Sequence, residues 1–283
     1  NDSVGIIDSF FPDADFFTEF ERFDRHVDKL RRRGDGTRVE YVSICSPNYL
    51  HDSHIRFALR SGAHAICEKP VVLNPWNIDG LLELERESGM SVNTILQLRV
   101  HPAVIRLADD IANSPSREKR DVDLTYVTSR GKWYLQSWKG DVRKAGGIAT
   151  NIGVHFFDML HMLFGKVQEN VVHLDELTRS TGYLEYENAR VRWFLSIDSD
   201  DLPDQARHQG LSTYRSITID GKEVEFSGGF TDLHTESYRR IIAGNGFGLE
   251  DSRAAVEIVS AIRNSTPIGR VGEYHPLLAA NGG

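Results

Sequence analysis

Three short stretches of this sequence place side chains that can move a proton or hold an anion at points where regular elements end. Ser46-Pro47-Asn48-Tyr49-Leu50-His51 follows an apolar run that ends at Cys45, and Glu68-Lys69-Pro70 follows a second that ends at Cys67. If both runs are strands of one parallel sheet, the two stretches meet at its carboxyl edge, where open α/β sheets bind ligands. A lysine there can reach a substrate hydroxyl, lower its pKa and steady the alkoxide that develops during hydride loss. Pro70 fixes the turn that aims it. The third stretch runs from Gly146-Gly147 into a helix bearing Asn151, His155 and Asp158, whose spacing predicts projection from roughly one helical face. Histidine suits proton acceptance near neutral pH. Lys69 and His155 are therefore the candidate catalytic pair, with His155 as base and Lys69 as electrostatic partner, or with these roles exchanged. Each stretch taken singly is also an ordinary turn or helix cap; together they converge on one chemistry.

The elements that must position these groups alternate between helix and strand from residue 20 to about 98, which predicts a parallel sheet with crossover helices. Helical spacing covers residues 20–30, 51–60 and 75–88, and strands are expected at 39–45, 64–67 and 91–96. Gln97 and Arg99, at the end of the last strand, can reach a ligand. After helices at 101–111 and 151–163 and a strand at 122–129, runs at 171–177, 181–186, 189–198, 214–220 and 222–226 largely alternate polar and apolar residues, as antiparallel strands with one open face do. Asp220-Gly221 marks a tight turn. Helices at 231–243 and 249–264 finish the pattern. The stretch 132–140 mixes Trp133, Tyr134 and Trp138 with lysines and Ser137, as an anionic sugar or nucleotide ligand requires, although the tryptophans serve equally as core.

The fold class is thus an incomplete doubly wound, Rossmann-like domain (residues 1–98) followed by an α+β substrate-binding and oligomerisation domain (residues 99–283). A dinucleotide fold normally opens with a strand, a Gly-x-Gly-x-x-Gly turn and a helix, followed by a strand ending in an acidic ribose ligand. None of these appears, and the first residue is Asn1, so the chain is expected to start after that unit and to be less stable without it.

The Pro-Asn-x-x-His turn at 47–51 with Glu68-Lys69-Pro70 resembles the hallmark of the glucose-fructose oxidoreductase and inositol dehydrogenase family, over nearly the whole chain. The resemblance implies NAD as cofactor, bound by Ser46, Pro47, Asn48, Leu50, His51, Glu68, Lys69 and Gln97. It also implies that Lys69 contacts both nicotinamide and substrate. The family usually has Asp-x-Gly-x-His where this chain has Asn151, which removes a carboxylate and leaves Asn151 as a hydrogen-bonding ligand. Substrate contacts are expected from Lys69, Arg99, Tyr134, Ser137, Trp138, Asn151 and His155. The chain looks most like the branch that oxidises the 3-hydroxyl of UDP-N-acetyl-2-amino-2-deoxyglucuronate in lipopolysaccharide and other surface-polysaccharide biosynthesis. That implies 2-oxoglutarate as re-oxidant and a homo-oligomer, dimer or tetramer, packed through the open sheet near Arg190-Val191-Arg192-Trp193. The alternatives are a non-catalytic sugar-nucleotide or cofactor sensor, and a dehydrogenase for another sugar or polyol.

Composition excludes other classes. The chain has 283 residues, with 33 Lys and Arg against 41 Asp and Glu, a formal charge of −8 that disfavours nucleic acid. The basic cluster Lys29, Arg31, Arg32 and Arg33 reads as compensation of a helix C-terminus. Cys45 and Cys67 match no metal spacing and read as core residues, so no metal is expected. No apolar run approaches a membrane span, and the first residues are unlike a secretory signal, so the expected location is cytoplasmic.

Overall fold

A computed structural model describes residues 9–113, 118–224 and 231–280. The first residues, weighed above as a signal, and residues 225–226 of the last expected strand lie outside these. Helix α1 (Phe20–Arg33) ends at Gly34, whose positive φ of 67° closes it, and Arg31 and Arg32 turn back onto Asp28. Strands β1 (Tyr41–Ile44), β2 (His64–Cys67) and β3 (Val92–Thr94) form a parallel sheet in that order. They are linked by α2 (His51–Arg60) and α3 (Pro75–Ser88), as the alternating pattern predicts. Ile44, Ala65, Cys67 and Val92 bury against Ile55 and Leu59 of α2 and Ile78 and Leu81 of α3. Cys67 is buried as expected, but Cys45 is exposed, because the chain has already left β1 at that point.

Beyond α4 (Pro102–Asn113) lies a six-stranded sheet built from β4 (Arg120–Thr128), β5 (Val167–Asp175), β6 (Arg179–Tyr186), β7 (Ala189–Ser196), β8 (Thr213–Ile219) and β9 (Lys222–Glu223). Its order is β5-β6-β7-β4-β8-β9, antiparallel except where β4 runs parallel to β7. The Asp220-Gly221 turn has φ of 52° and 76° at its two residues, as a two-residue hairpin of this hand requires. Helix α5 (Val154–Phe164) covers the inner face, where Phe157 meets Trp193 edge-on at 5.3 Å. Val191 and Trp193 are therefore core, and only their neighbours Arg190 and Arg192 reach the outer face. There Arg192 pairs with Asp123 and Glu273, and Arg190 with Asp121. Period-two alternation means that this four-residue run cannot present one continuous outer surface.

The chain then returns. Helix α6 (Leu233–Ile242) crosses the carboxyl edge of the first sheet, where Tyr238 Oη bonds Ser43 Oγ. Helix α7 (Leu249–Asn264) enters both cores: Leu249 and Val256 join the first, while Ala255, Ile258, Val259 and Ile262 join the second. A boundary drawn at residue 98 follows chain order; the packing units do not.

Candidate active site

The loops leaving β1 and β2 are tied together by His51. Its Nδ1 lies 2.7 Å from the Pro70 carbonyl oxygen and its Nε2 2.8 Å from that of Ser46, with the ring wholly buried. Burial holds His51 below the ordinary histidine pKa. Asn48, also buried, donates to the Ala145 carbonyl at 2.9 Å and so fastens the first loop to the glycine turn before the helix that bears His155. Ser46 Oγ meets His54 Nδ1 at 2.9 Å, and Glu68 Oε1 meets His234 Nε2 at 3.0 Å. Asn48 and His51 thus hold the strand-end loops in place, a role that the family's Pro-Asn-x-x-His pattern did not itself specify. Leu50 packs toward a groove against α1 rather than into the catalytic cleft.

Lys69 is aimed by its position two residues beyond β2. Its ammonium donates to the Asn151 carbonyl at 2.8 Å, so the nucleotide domain touches the substrate domain through this bond. That carbonyl is available because residues Ala149–Gly153 form a π-helical turn, wider than an α-turn. Gly146 and Gly147, with φ of 85° and 83°, feed the chain into it. Gly153 closes it where a Cβ would stand 2.5 Å from Leu195 Cδ1, so only glycine lets the turn rest on the sheet. Asn151 Nδ2 is hydrogen-bonded to Tyr134 Oη. Both residues are buried at the floor of the cleft.

The cleft has a volume of about 260 Å³. Lys69, Gln97, Tyr134, Asn151 and His155, all expected from sequence, line it together. Gln97 Nε2 stands 3.4 Å from His155 Nε2, a contact that suits an unprotonated ring nitrogen facing the amide. Burial, with Lys69 nearby, holds His155 well below the usual histidine pKa, so it is neutral at pH 7. Burial also pushes Lys69 down to about 8, aided by Lys139 and Arg130 and opposed by Glu68. The cleft therefore pairs a neutral imidazole with a cation close to its own titration, an arrangement suited to taking a proton from a hydroxyl and holding the oxygen left behind.

Three expected residues stand elsewhere. Arg99 is not in the cleft: its Nε and Nη2 grip both oxygens of Asp158 at 2.9 and 2.7 Å. It also meets Asp251 and lies 5.2 Å from the Phe247 ring centroid. Of the three residues expected on one helical face, Asn151 and His155 line the cleft and Asp158 is taken up by Arg99 instead, while the π-turn shifts Asn151 out of α-helical register with His155. Ser137 caps a short turn through its contacts with the Tyr134 carbonyl and the Lys139 amide. Trp138 lies under the Lys139 ammonium, 5.6 Å from its ring centroid, as Trp133 does at 5.1 Å, and neither tryptophan is core. Tyr126, Arg130, Lys139 and Arg215 also line the cleft and were not picked out as ligands. A signal existed for Arg215, a cation on the inward phase of an otherwise alternating strand.

The carboxyl edge of β1, β2 and β3, with Lys69 and Gln97 projecting from it, suits the nicotinamide end of a dinucleotide by its donor set. No group of histidine, cysteine, aspartate or glutamate among the described residues could hold a metal ion. No helix among them is long and apolar enough to cross a membrane.

Fold and site together define a two-domain oxidoreductase with a Rossmann-type nucleotide domain. Residues 2–95 match the family model for the NAD-binding Rossmann fold of an oxidoreductase family, and residues 119–244 match that for its C-terminal alpha/beta domain. The chain belongs to that family, the one of glucose-fructose oxidoreductase and inositol dehydrogenase. It is similar to the WlbA (WbpB) dehydrogenase of Thermus thermophilus, solved in complex with NAD and alpha-ketoglutarate, at 52% identity and a TM-score of 0.92 over 97% of this chain and 88% of that one. The same dehydrogenase in complex with NAD and UDP-GlcNAcA matches at 51% identity, also with a TM-score of 0.92, over 98% and 88%. A provisionally named UDP-kanosamine synthase oxidoreductase subunit from Amycolatopsis mediterranei strain S699 is 27% identical over 83% of this chain and 68% of its own length.

Proposed function

We propose that this protein oxidises the 3-hydroxyl of UDP-GlcNAcA, or of a closely related UDP-linked uronate, with NAD as electron acceptor. The observation that carries the reading is the single cleft into which Lys69 from the nucleotide domain and His155 from the substrate domain both project. The kinship with a Thermus thermophilus dehydrogenase that binds NAD and UDP-GlcNAcA names the ligands.

His155, neutral, accepts the hydroxyl proton at Nε2, where the substrate hydroxyl takes the place of the Gln97 amide. Lys69, charged below its pKa of about 8, faces the same oxygen and stabilises the negative charge that grows on it. Asn151, steadied by Tyr134, orients the sugar through its amide. The loop at 46–51, with Glu68, Lys69 and Gln97, holds the nicotinamide end of the cofactor. Bound NAD supplies the two-electron acceptor for the C3 hydrogen, so that the C3 hydroxyl becomes a ketone.

Re-oxidation by 2-oxoglutarate fits a cleft rich in cations, and the related Thermus thermophilus enzyme is solved in complex with NAD and alpha-ketoglutarate. The same reading places the protein in surface-polysaccharide biosynthesis in the cytoplasm, as a homo-oligomer joined through the outer sheet face that carries Arg190, Arg192, Asp121 and Asp123.

Turnover of UDP-GlcNAcA, followed by NADH formation, tests it. Lys69→Ala and His155→Ala are each expected to lower kcat by about 100-fold or more with the melting temperature unchanged. Near-normal turnover in both variants would refute the assignment.

A further inference from the structure

Residues Ala149–Gly153 make the one π-helical turn among the described residues, and glycines confine it at both ends. Before it, a Cβ on Gly146 would stand 2.6 Å from Thr150 Cγ2. At its close, a Cβ on Gly153 would stand 2.5 Å from Leu195 Cδ1 and 2.8 Å from Phe157 Cε2. These neighbours have little room to yield: Leu195 and Phe157 are wholly buried in the core, and the Phe157 ring is set edge-on against Trp193. A π-turn is rare and persists where such contacts offset its looser winding.

What the turn delivers is the Asn151 carbonyl, which accepts from the Lys69 ammonium at 2.8 Å. Among the described residues this is the one hydrogen bond of that ammonium, and no carboxylate stands within salt-bridge distance of it. The charges around it pull in both directions. Glu68, of the nucleotide domain, favours the ammonium; Lys139 and Arg130, of the substrate domain, oppose it; and it acts in turn on His155 and His51. A hydrogen bond accepted from the charged form favours that form and fixes where its N–H bonds point. The carbonyl thus decides both aim and charge, and its own place is decided by the packing under the turn.

We propose that Gly153 and Leu195 are positioning residues for Lys69: by seating the π-turn on strand β7 they hold the Asn151 carbonyl where it meets the Lys69 ammonium. Their effect on turnover rests on the part given to Lys69 in the proposed reaction. Neither residue lines the cleft. The six-stranded sheet therefore acts on a group it does not touch, and a single methyl group under the turn shifts the acceptor of a lysine that belongs to the other domain.

The test titrates Lys69 directly, by the pH dependence of its acetylation in the intact protein read by mass spectrometry, and needs neither substrate nor cofactor. The parent midpoint is expected at about 8. Gly153→Ala pushes the turn off the sheet, so the midpoint falls by about one pH unit and kcat for UDP-GlcNAcA by about 10- to 100-fold. Adding Leu195→Val removes the δ-carbon in the way at nearly constant core volume, and brings the midpoint back to within about 0.3 pH unit of the parent. Leu195→Val alone lets the turn relax without strain; it moves the midpoint in the same direction by less, and decides the matter if Gly153→Ala does not fold. A purely structural contact would lower the melting temperature and leave the midpoint where it was. A midpoint that stays or rises in the single variants, or that falls without recovery in the double variant, overturns the proposal. Absence of turnover in the parent protein would overturn the sugar-nucleotide reading, while the midpoints would still decide what positions Lys69.

Discussion

Replacing Asp158 with alanine should destabilise the protein more than any change of similar size on its surface. Asp158 is 2% exposed and Arg99 12%, and the carboxylate meets the guanidinium through two hydrogen bonds. Removing it leaves a positive charge in the interior whose remaining partners are the Asp251 carbonyl at 2.8 Å, a longer contact to its carboxylate and the Phe247 ring. Breaking a buried pair on one side costs about 3–5 kcal/mol. Unfolding entropy near the melting temperature is about 2.1 cal/mol/K per residue, so 283 residues give about 0.6 kcal/mol/K and the Tm of Asp158→Ala should fall by about 5–8 °C. Arg99 lies in the turn that Gln97 opens, and Asp158 sits three residues beyond His155, so the pair fastens together two elements that line the cleft. Scanning calorimetry measures the shift, and the double variant Arg99→Met with Asp158→Leu should recover most of it by removing both charges. A Tm for Asp158→Ala within about 1 °C of the parent would refute the reasoning.

The pH dependence of kcat/KM should separate the roles of Lys69 and His155. With Lys69 as the oxyanion's cation, the rate declines as pH rises through about 8; an increase through the same range would make Lys69 the base. His275 predicts a loss of stability in acid. Burial depresses its pKa to about 4, and neutral His275 uses Nε2 with Thr125 Oγ1 at 3.0 Å and Nδ1 with the Leu277 amide at 3.2 Å. Because its folded pKa lies below the unfolded value of 6.5, its contribution is complete above pH 6.5 and is lost as pH falls from there to about 4, amounting to about 3 kcal/mol. Urea denaturation of His275→Gln at pH 7 and pH 5 should show a smaller drop than the parent protein, and equal drops would contradict the assignment.

The strand-end half of the candidate pair, Lys69, was legible because strand ends are marked twice, by apolar runs that stop and by the Pro, Asn and Glu-Lys-Pro residues that follow. Lys69 and Gln97 were placed by that logic, Asn151 and His155 by the glycine turn that runs into a helix, and Tyr134 by the aromatic stretch at 132–140, and all five meet in the cleft. Arg99 was expected at the ligand because it follows the end of β3, and Asp158 because it stands three residues beyond His155; the two grip each other instead, a long-range pairing that spacing does not announce, while the five-residue π-turn alters the pitch between Asn151 and His155. Nothing in the local pattern announces a wider turn; it depends on Gly153 resting against Leu195, a contact with a strand more than forty residues away. Arg130 escaped because a cation in a loop reads as solvated until the fold brings a second one beside it, whereas Lys139 was seen only as one of the lysines of the stretch 132–140. The sheets were easier, since alternation and the Asp220-Gly221 turn act locally, whereas the parallel pairing of β4 with β7 is a choice of topology that no single strand encodes.

Helix α7 carries a consequence for how ligands come and go. A sixteen-residue rod that contributes side chains to both hydrophobic cores works as a shared axle, and swinging the two halves apart would shear Val256 from one and Val259 from the other. Opening the cleft by moving the two halves apart would therefore cost packing in both cores at once. An enzyme so built trades the selectivity of domain closure for a site whose charges are set before the substrate arrives.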